Sequence, residues 1–193
     1  MKTYLKYSGL AVQSHRGGSL ESPENTLESF SYSQSIGCKY IETDVQISLD
    51  GIPYIFHDET LTRILKKDII FSSLHSSEID KLSIFNNHPI PTLEKALNDF
   101  PEMFFQIDVK TDEVAIPALE IIKKCNAVDR VCIASFNSKR LNNVYKKYPE
   151  VCLSMGPIEV FKLLLASFNL YNKDIRGDCL QVPIYPVSYT HLT

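Results

Sequence analysis

Short apolar runs alternate with amphipathic helical stretches along most of this chain, and several of the runs end on a histidine or carry paired acids. Apolar runs of four to eight residues read as strands, and apolar residues three and four apart read as one face of a helix. Leu10 to Ser14 is a short run that ends at His15. Ser22 can cap a helix opened by Pro23 and Glu24, with Leu27 and Phe30 on its buried face and Gly37 as its stop. Tyr40 to Ile47 and Ile52 to His57 flank Leu49-Asp50-Gly51, where Asp-Gly signals a hairpin. Pro91-Thr92 opens a helix with Leu93, Leu97 and Phe100 inward. Met103 to Val109 is the next strand, followed by a helix whose first turn holds Pro117. Val131 to Ala134 is again a strand. Leu141, Val144, Tyr145 and Tyr148 stripe the following helix. Val151 to Met155 precedes a helix from Pro157 with Phe161, Leu164, Leu165 and Phe168 inward. Cys179 to Val182 is the last expected strand, and residues 61–89 read as a loop-rich insertion. Strands alternating with helices argue an α/β protein with a parallel sheet or barrel.

At 193 residues, with 44% apolar and 22% charged residues, the chain suits one well-buried domain. A net charge of −3 gives no basic field for nucleic acid, which is excluded as a main partner. The first nine residues lack the apolar core of a secretory signal, and no window reaches the ~18 apolar residues of a membrane span. The five cysteines show no CxxC pairing. They read as reduced thiols of a cytoplasmic protein.

The chemistry-bearing residues fall on these runs. Glu42 and Asp44 are two apart on a strand and so share a face. Buried carboxylates need a cation or hydrogen-bond donors, and an all-oxygen set favours Mg²⁺ or Ca²⁺. If Asp50-Gly51 is a two-residue turn, Leu49 pairs with Ile52 and Asp44 lies opposite His57, bringing an imidazole onto the acids. After His15, Arg16 offers a fork to phosphate oxygens, and Gly17-Gly18 let backbone N–H groups approach an anion. Asp108 and Lys110 alternate on a later strand. Asp108 can complete a three-carboxylate metal site, and Lys110 can offset that cluster or a bound phosphate. His75, His88 and His191 lie in polar or loop sequence and carry no expected role.

These strings, in this order, resemble the glycerophosphodiester phosphodiesterase family. The match runs through His15-Arg16-Gly17, Pro23-Glu24-Asn25-Thr26, Ile41-Glu42-Thr43-Asp44-Val45, Asp50-Gly51-Ile52-Pro53 and His57-Asp58. It continues through Ile90-Pro91-Thr92-Leu93-Glu94 and Ile107-Asp108-Val109-Lys110, with Ser135-Phe136 after it. The resemblance implies a distorted TIM (β/α)8-type barrel, with the site at the C-terminal strand ends and a small insertion after the third strand. It implies metal-dependent hydrolysis of a glycerophosphodiester, a small-molecule substrate, to glycerol 3-phosphate and an alcohol. His15 and His57 would be the acid–base pair, Glu42, Asp44 and Asp108 the ligands of Mg²⁺ or Ca²⁺, and Arg16 and Lys110 the phosphate contacts. The alternatives are a phospholipase-like phosphodiesterase acting on intact lipid or lysolipid, and an inactive fragment that binds a phosphate headgroup.

The chain departs from the family pattern in two ways. Asp108 stands where relatives usually carry Glu, and the family's late Trp-Thr-x-Asn and Thr-Asp strings are absent, as is any Trp. A TIM barrel typically needs ~250 residues, so a barrel incomplete at its C-terminus is expected over residues 1–186. Residues 187–193 continue no pattern and are expected to be a non-native tail.

Overall fold

The computed structural model describes residues 1–7, 9–85 and 87–181. Its strands and helices follow in chain order: β1 Gln13–Ser14, α1 Leu27–Ser35, β2 Tyr40–Ile47, β3 Pro53–Ile55, α2 Thr62–Leu65, α3 Ser76–Ile79, β4 Ser83–Ile84 and β5 His88–Pro89. The second half adds α4 Leu93–Asp99, β6 Phe104–Val109, α5 Asp112–Lys124, β7 Val131–Ala134, α6 Ser138–Lys147, β8 Cys152–Leu153 and α7 Pro157–Ser167. The main sheet has the order β1-β2-β6-β7-β8, parallel throughout, with β3 antiparallel to β2. The parallel sheet expected from the alternation is therefore present.

Odd-numbered residues of β2, β6 and β7 (Ile41, Val45, Phe105, Ile107, Val109, Val131, Ile133) pack under the helices with Phe30, Leu93, Leu97, Val114, Leu119, Ile122 and Val144. Even-numbered residues face the other way. That inner face is polar at one end and aromatic with thiols at the other. It is also curved. Gln13 on β1 donates to Gln106 on β6 at 3.2 Å, Gln106 donates to Gln181 at 2.6 Å, and Gln181 donates back to Gln13 at 3.3 Å. Strands spaced ~4.8 Å apart in a flat sheet would hold β1 far from a segment lying beyond β8. The inner face therefore wraps round a lumen, as a barrel wall does.

Several boundaries differ from the sequence reading. α1 begins at Leu27, four residues beyond Pro23. Thr26 caps it, accepting from Ser29 N at 3.1 Å while Ser29 Oγ accepts from Thr26 N at 3.2 Å. Ser22 is not the cap, because the reciprocal pair satisfies both orphan amides further along. Gly37, at φ +80°, ends the helix as expected. Thr111 caps α5, which places Pro117 in the second turn rather than the first. β3 is shorter than the run to His57, and Cys179 makes only an isolated parallel bridge to Ser154. Val182 and the expected tail lie outside the described residues.

Two corrections concern packing. The insertion is more than loop. Phe71, Ile79 and Ile84 join Tyr54, Phe56, Leu61 and Ile90 in a separate buried cluster, with β4 and β5 paired beside it. α7 departs the other way: Phe161, Leu164 and Phe168, expected inward, are exposed, and no residue of the helix is buried. Its main neighbour among the described residues is α6, which covers too little of its circumference. Among the described residues, no helix is long and apolar enough to cross a membrane.

Candidate active site

β2 and β6 build the floor of the site. Their parallel register sets Asp44 beside Asp108 and Glu42 beside Gln106, all on the inner face. Asp44 is almost fully buried. Lys110 follows the C-terminal end of β6, and its ammonium sits between the two aspartates, donating to Asp108 Oδ2 at 2.6 Å and lying 2.7 Å from Asp44 Oδ1. Asn25 Nδ2 donates to Asp44 Oδ2 at 2.9 Å, and the Thr43 hydroxyl fixes Asn25 by donating to its Oδ1 at 2.7 Å. Burial pushes Asp44 up, but Lys110, His57 and Asn25 outweigh it and hold the carboxyl below its usual range. Asp108 moves up, because burial and then Asp44 outweigh the same lysine.

After β1 the chain turns through a 3₁₀ turn, His15–Gly17, in which Arg16, Gly17 and Gly18 have φ of +52°, +79° and +96°. Gly17 is required by space as well as conformation, since a Cβ there would lie 2.4 Å from Ser29 Oγ of α1. The turn directs the Arg16 amide to Glu42 Oε2 at 3.0 Å. The Arg16 side chain lies between Asp44, 3.4 Å from its Nε, and Glu24, 3.1 Å from Nη1. A left-handed arginine is uncommon and costs free energy. Here it is held by charges on both sides.

Glu42 differs from its neighbours. Among the described residues its only ion-pair contact is His15, at 3.9 Å. Burial, then the Asp44 charge, pushes its carboxyl up to about 8. An acid held this way lacks a counter-charge, and oxygen donors on one inner face suit a hard cation. The three carboxylates do not, however, converge to one coordination sphere. Lys110 bridges two of them, and the only group of three candidate metal ligands drawn together among the described residues is Cys132, Cys152 and Cys179.

His57 reaches this cluster by a route other than the expected register. The hairpin pairs Ile47 with Pro53 and Val45 with Ile55, so Asp44 faces Phe56, whose amide donates to the Asp44 carbonyl at 3.0 Å. The loop has three residues. Gly51 N donates to Ser48 O, and Gly51 takes φ +86°. That added residue shifts the pairing by one, which in a strand reverses which face each side chain occupies. His57 instead sits past the end of β3, where Gln46 Nε2 donates to the carbonyls of His57 and Asp58 at 3.3 and 3.1 Å. Those bonds hold the His57 backbone at the C-terminal end of β2. His15, 3.9 Å from Glu42, and His57, tied to Gln46, therefore both lie toward the strand ends that carry the carboxylates.

Asp58, Glu24, Asn25, Gln46 and Arg63 were not singled out from the sequence. Asp58 Oδ1 is 2.6 Å from His57 Nδ1, and Arg63 Nε donates to Asp58 Oδ2 at 2.7 Å. Burial raises Asp58, yet these two partners hold it down at about 2. An ionised carboxylate only accepts, so His57 Nδ1 carries the proton and Nε2 is left for chemistry. Arg63 belongs to α2 of the insertion and also pairs with Glu24, tying the insertion to the rim. Asp58 and Glu24-Asn25 stood inside quoted strings, which was the available signal. Nothing in the sequence pointed to Arg63.

Comparisons with known proteins place the chain in a family. The chain is 33% identical over 138 residues to a protein from Mycobacterium tuberculosis named probable glycerophosphodiester phosphodiesterase 2, covering 71% of this chain and 52% of that one. It is 32% identical over 158 residues to a glycerophosphodiester phosphodiesterase of Caldanaerobacter subterraneus, covering 75% and 65%. The chain thus spans between half and two thirds of these relatives. Among solved structures, an Oleispira antarctica phosphodiesterase in complex with its product sn-glycerol-3-phosphate superposes with a TM-score of 0.73 at 27% identity, covering 83% of this chain and 72% of that one. The fold is that of the family's TIM-type barrel. The model of the glycerophosphoryl diester phosphodiesterase family matches residues 15–153, from the first rim histidine to the end of β8, and the chain belongs to that family.

Proposed function

We propose that this chain carries the hydrolysis of glycerophosphodiesters to glycerol 3-phosphate and an alcohol. The observation that supports the reading is that His15 lies 3.9 Å from Glu42 and the His57 backbone is tied to Gln46, at the strand ends where Asp44 and Asp108 are in register and share Lys110. Arg16 and Lys110 are the cations that bind the phosphate. Each is now engaged by carboxylates and is free to share its donors with an anion that enters above them. Burial and then the adjacent Arg16 lower His15, which favours the neutral imidazole that accepts a proton from the attacking hydroxyl. His57, oriented by Asp58, takes the remaining role and delivers a proton to the leaving alkoxide.

The all-oxygen chemistry of Glu42, Asp44 and Asp108 suits a hard divalent cation, Mg²⁺ or Ca²⁺, and these are the residues that would hold it, with Lys110 now occupying the space between the two aspartates. When bound, such a cation supplies Lewis-acid polarisation of the phosphoryl oxygens.

The test is release of glycerol 3-phosphate from glycerophosphocholine by this chain, in Mg²⁺ or Ca²⁺ against EDTA, beside His15→Ala. Cation-dependent release that falls by roughly 10²- to 10⁴-fold in the variant is the expected result. Release that survives both EDTA and the substitution overturns the mechanism. Release from intact lysolipid alone would transfer the reading to a phospholipase-like enzyme.

A further inference from the structure

The inner face of the sheet carries a second cluster, packed with Tyr4 and Tyr40 and not with the carboxylates. Cys132 on β7 pairs in register with Cys152 on β8, and Cys179 joins them through the parallel bridge to Ser154. The three Sγ atoms lie within 4.8 Å of one another, and those of Cys132 and Cys179 are 3.6 Å apart. From this arrangement we infer that Cys132, Cys152 and Cys179 form a binding site for a thiophilic d¹⁰ cation such as Zn²⁺, separate from the carboxylate rim.

Geometry supports the assignment first. Zn–S bonds of ~2.3 Å at tetrahedral angles place sulfurs ~3.8 Å apart, so no pair, all lying within 4.8 Å, needs to close by more than about an ångström. Two ligands are fixed by neighbouring strands, where side-chain position is set by the backbone. The donor set is all sulfur, which selects zinc-like or cuprous ions against Mg²⁺ and Ca²⁺. An entry path exists as well. A cleft of about 270 Å³, lined by Tyr4, Tyr7, Gln13, Tyr40, Cys179 and Gln181, opens beside Cys179, and its water can fill the fourth position.

Chemistry supports it second. A thiol binds such a cation as its thiolate, so the three thiols give up their protons as the ion enters and the three Sγ atoms offset its charge. The bound ion would fasten the segment at Asp178–Cys179 to β7 and β8. Cys38, whose Sγ donates to the carbonyls of Val12 and Tyr40 at 3.3 and 3.2 Å, and Cys125 at the end of α5 stand outside the cluster and serve as internal controls.

The experiment uses the whole chain, reduced, with excess Mg²⁺ present to occupy the carboxylate rim. Cd²⁺ is titrated to read the thiolate-to-metal absorption band, and Zn²⁺ protection of each cysteine from alkylation is mapped by mass spectrometry. Expected are a band saturating at one equivalent, protection of Cys132, Cys152 and Cys179, and unchanged modification of Cys38 and Cys125. Cys179→Ala should weaken Zn²⁺ binding at least roughly 100-fold, since even outer partners of a metal ligand are worth 10- to 100-fold. Cys125→Ala should leave it unchanged. Should Cys179→Ala fail to fold, the protection map of the unsubstituted chain decides alone. No band, protection that does not single out the three, or Zn²⁺ binding undiminished in Cys179→Ala overturns the site. A Cys132–Cys179 disulfide that forms in air equally with and without Zn²⁺ overturns it too.

Discussion

The two ends of the lumen are lined by the same strands and the same face of each, yet they solve burial in opposite ways. At the rim, Asp44 and Asp108 are balanced by Lys110 and Arg16, whereas Glu42 has only His15, 3.9 Å away. At the base, Tyr4, Tyr40 and Phe104 pack with Cys132 and Cys152, and Tyr40 stacks on Phe104 at 5.0 Å between centroids. A shift of four residues along β2, from Tyr40 to Asp44, converts aromatic packing into an ion network. The rim therefore gains its order from charge compensation and stays responsive to ligands and pH. The base gains its order from contact area and offers soft donors instead of charges.

The largest expected consequence is at Glu42. Its carboxyl is raised from 4.5 to about 8 in the fold, so the folded state holds a proton that the unfolded chain releases. Stability from this proton is full below about 4.5 and is lost as pH rises through about 8, a loss of up to about 5 kcal/mol. Chemical denaturation in EDTA should thus show stability falling across that window, and Mg²⁺ or Ca²⁺ should restore it most at the alkaline end. Glu42→Gln should flatten the dependence. A profile that is unchanged by the cation and by the substitution would break the contrast between the two ends.

Next in size, Asp44→Ala strips Lys110, Arg16 and Asn25 of their common acceptor, and should cost about 3–5 kcal/mol in urea denaturation. Cys152→Ala at the base removes one small buried group and should cost clearly less, about 1–2 kcal/mol. Equal costs would mean that compensation of charge is not what holds the rim together.

A smaller effect is expected of Asp58→Asn. It removes the acceptor that orients His57, and turnover of glycerophosphocholine should fall roughly 10- to 100-fold, a part of the 10²- to 10⁴-fold that a general acid contributes. The melting temperature should hardly move. Smallest is Thr26→Ala, which uncaps α1 behind the rim and should cost about 1 kcal/mol without altering the base.

How much was legible follows from the range of the interactions involved. β2 and β7 were readable because their apolar runs are long or closely bounded, and the bounds expected for them are those observed. α5 and α7 teach the converse. Both have apolar faces by spacing, but α5 buries Val114, Ala118, Leu119 and Ile122 against the sheet, whereas α7 leaves Phe161 and Leu164 exposed. Spacing says which face prefers burial. Whether a surface exists to meet it is a property of the neighbours. The hairpin failed for a local reason: Asp-Gly marks a turn but does not fix its length, and Gly51 in the left-handed region closes a three-residue loop.

Residue type and period-two alternation alone determined that Glu42, Asp44, Asp108 and Lys110 share faces of strands and that His15 follows one. These relations involve neighbours within a single run, where backbone geometry leaves little freedom. Tertiary structure decided the rest. It set Asp44 beside Asp108, gave Asp58 to His57 and Arg63 to Asp58, and gathered three cysteines from distant positions into one cluster. Such contacts depend on strand order and curvature, which arise from the packing of the whole sheet under its helices, and no local pattern encodes them.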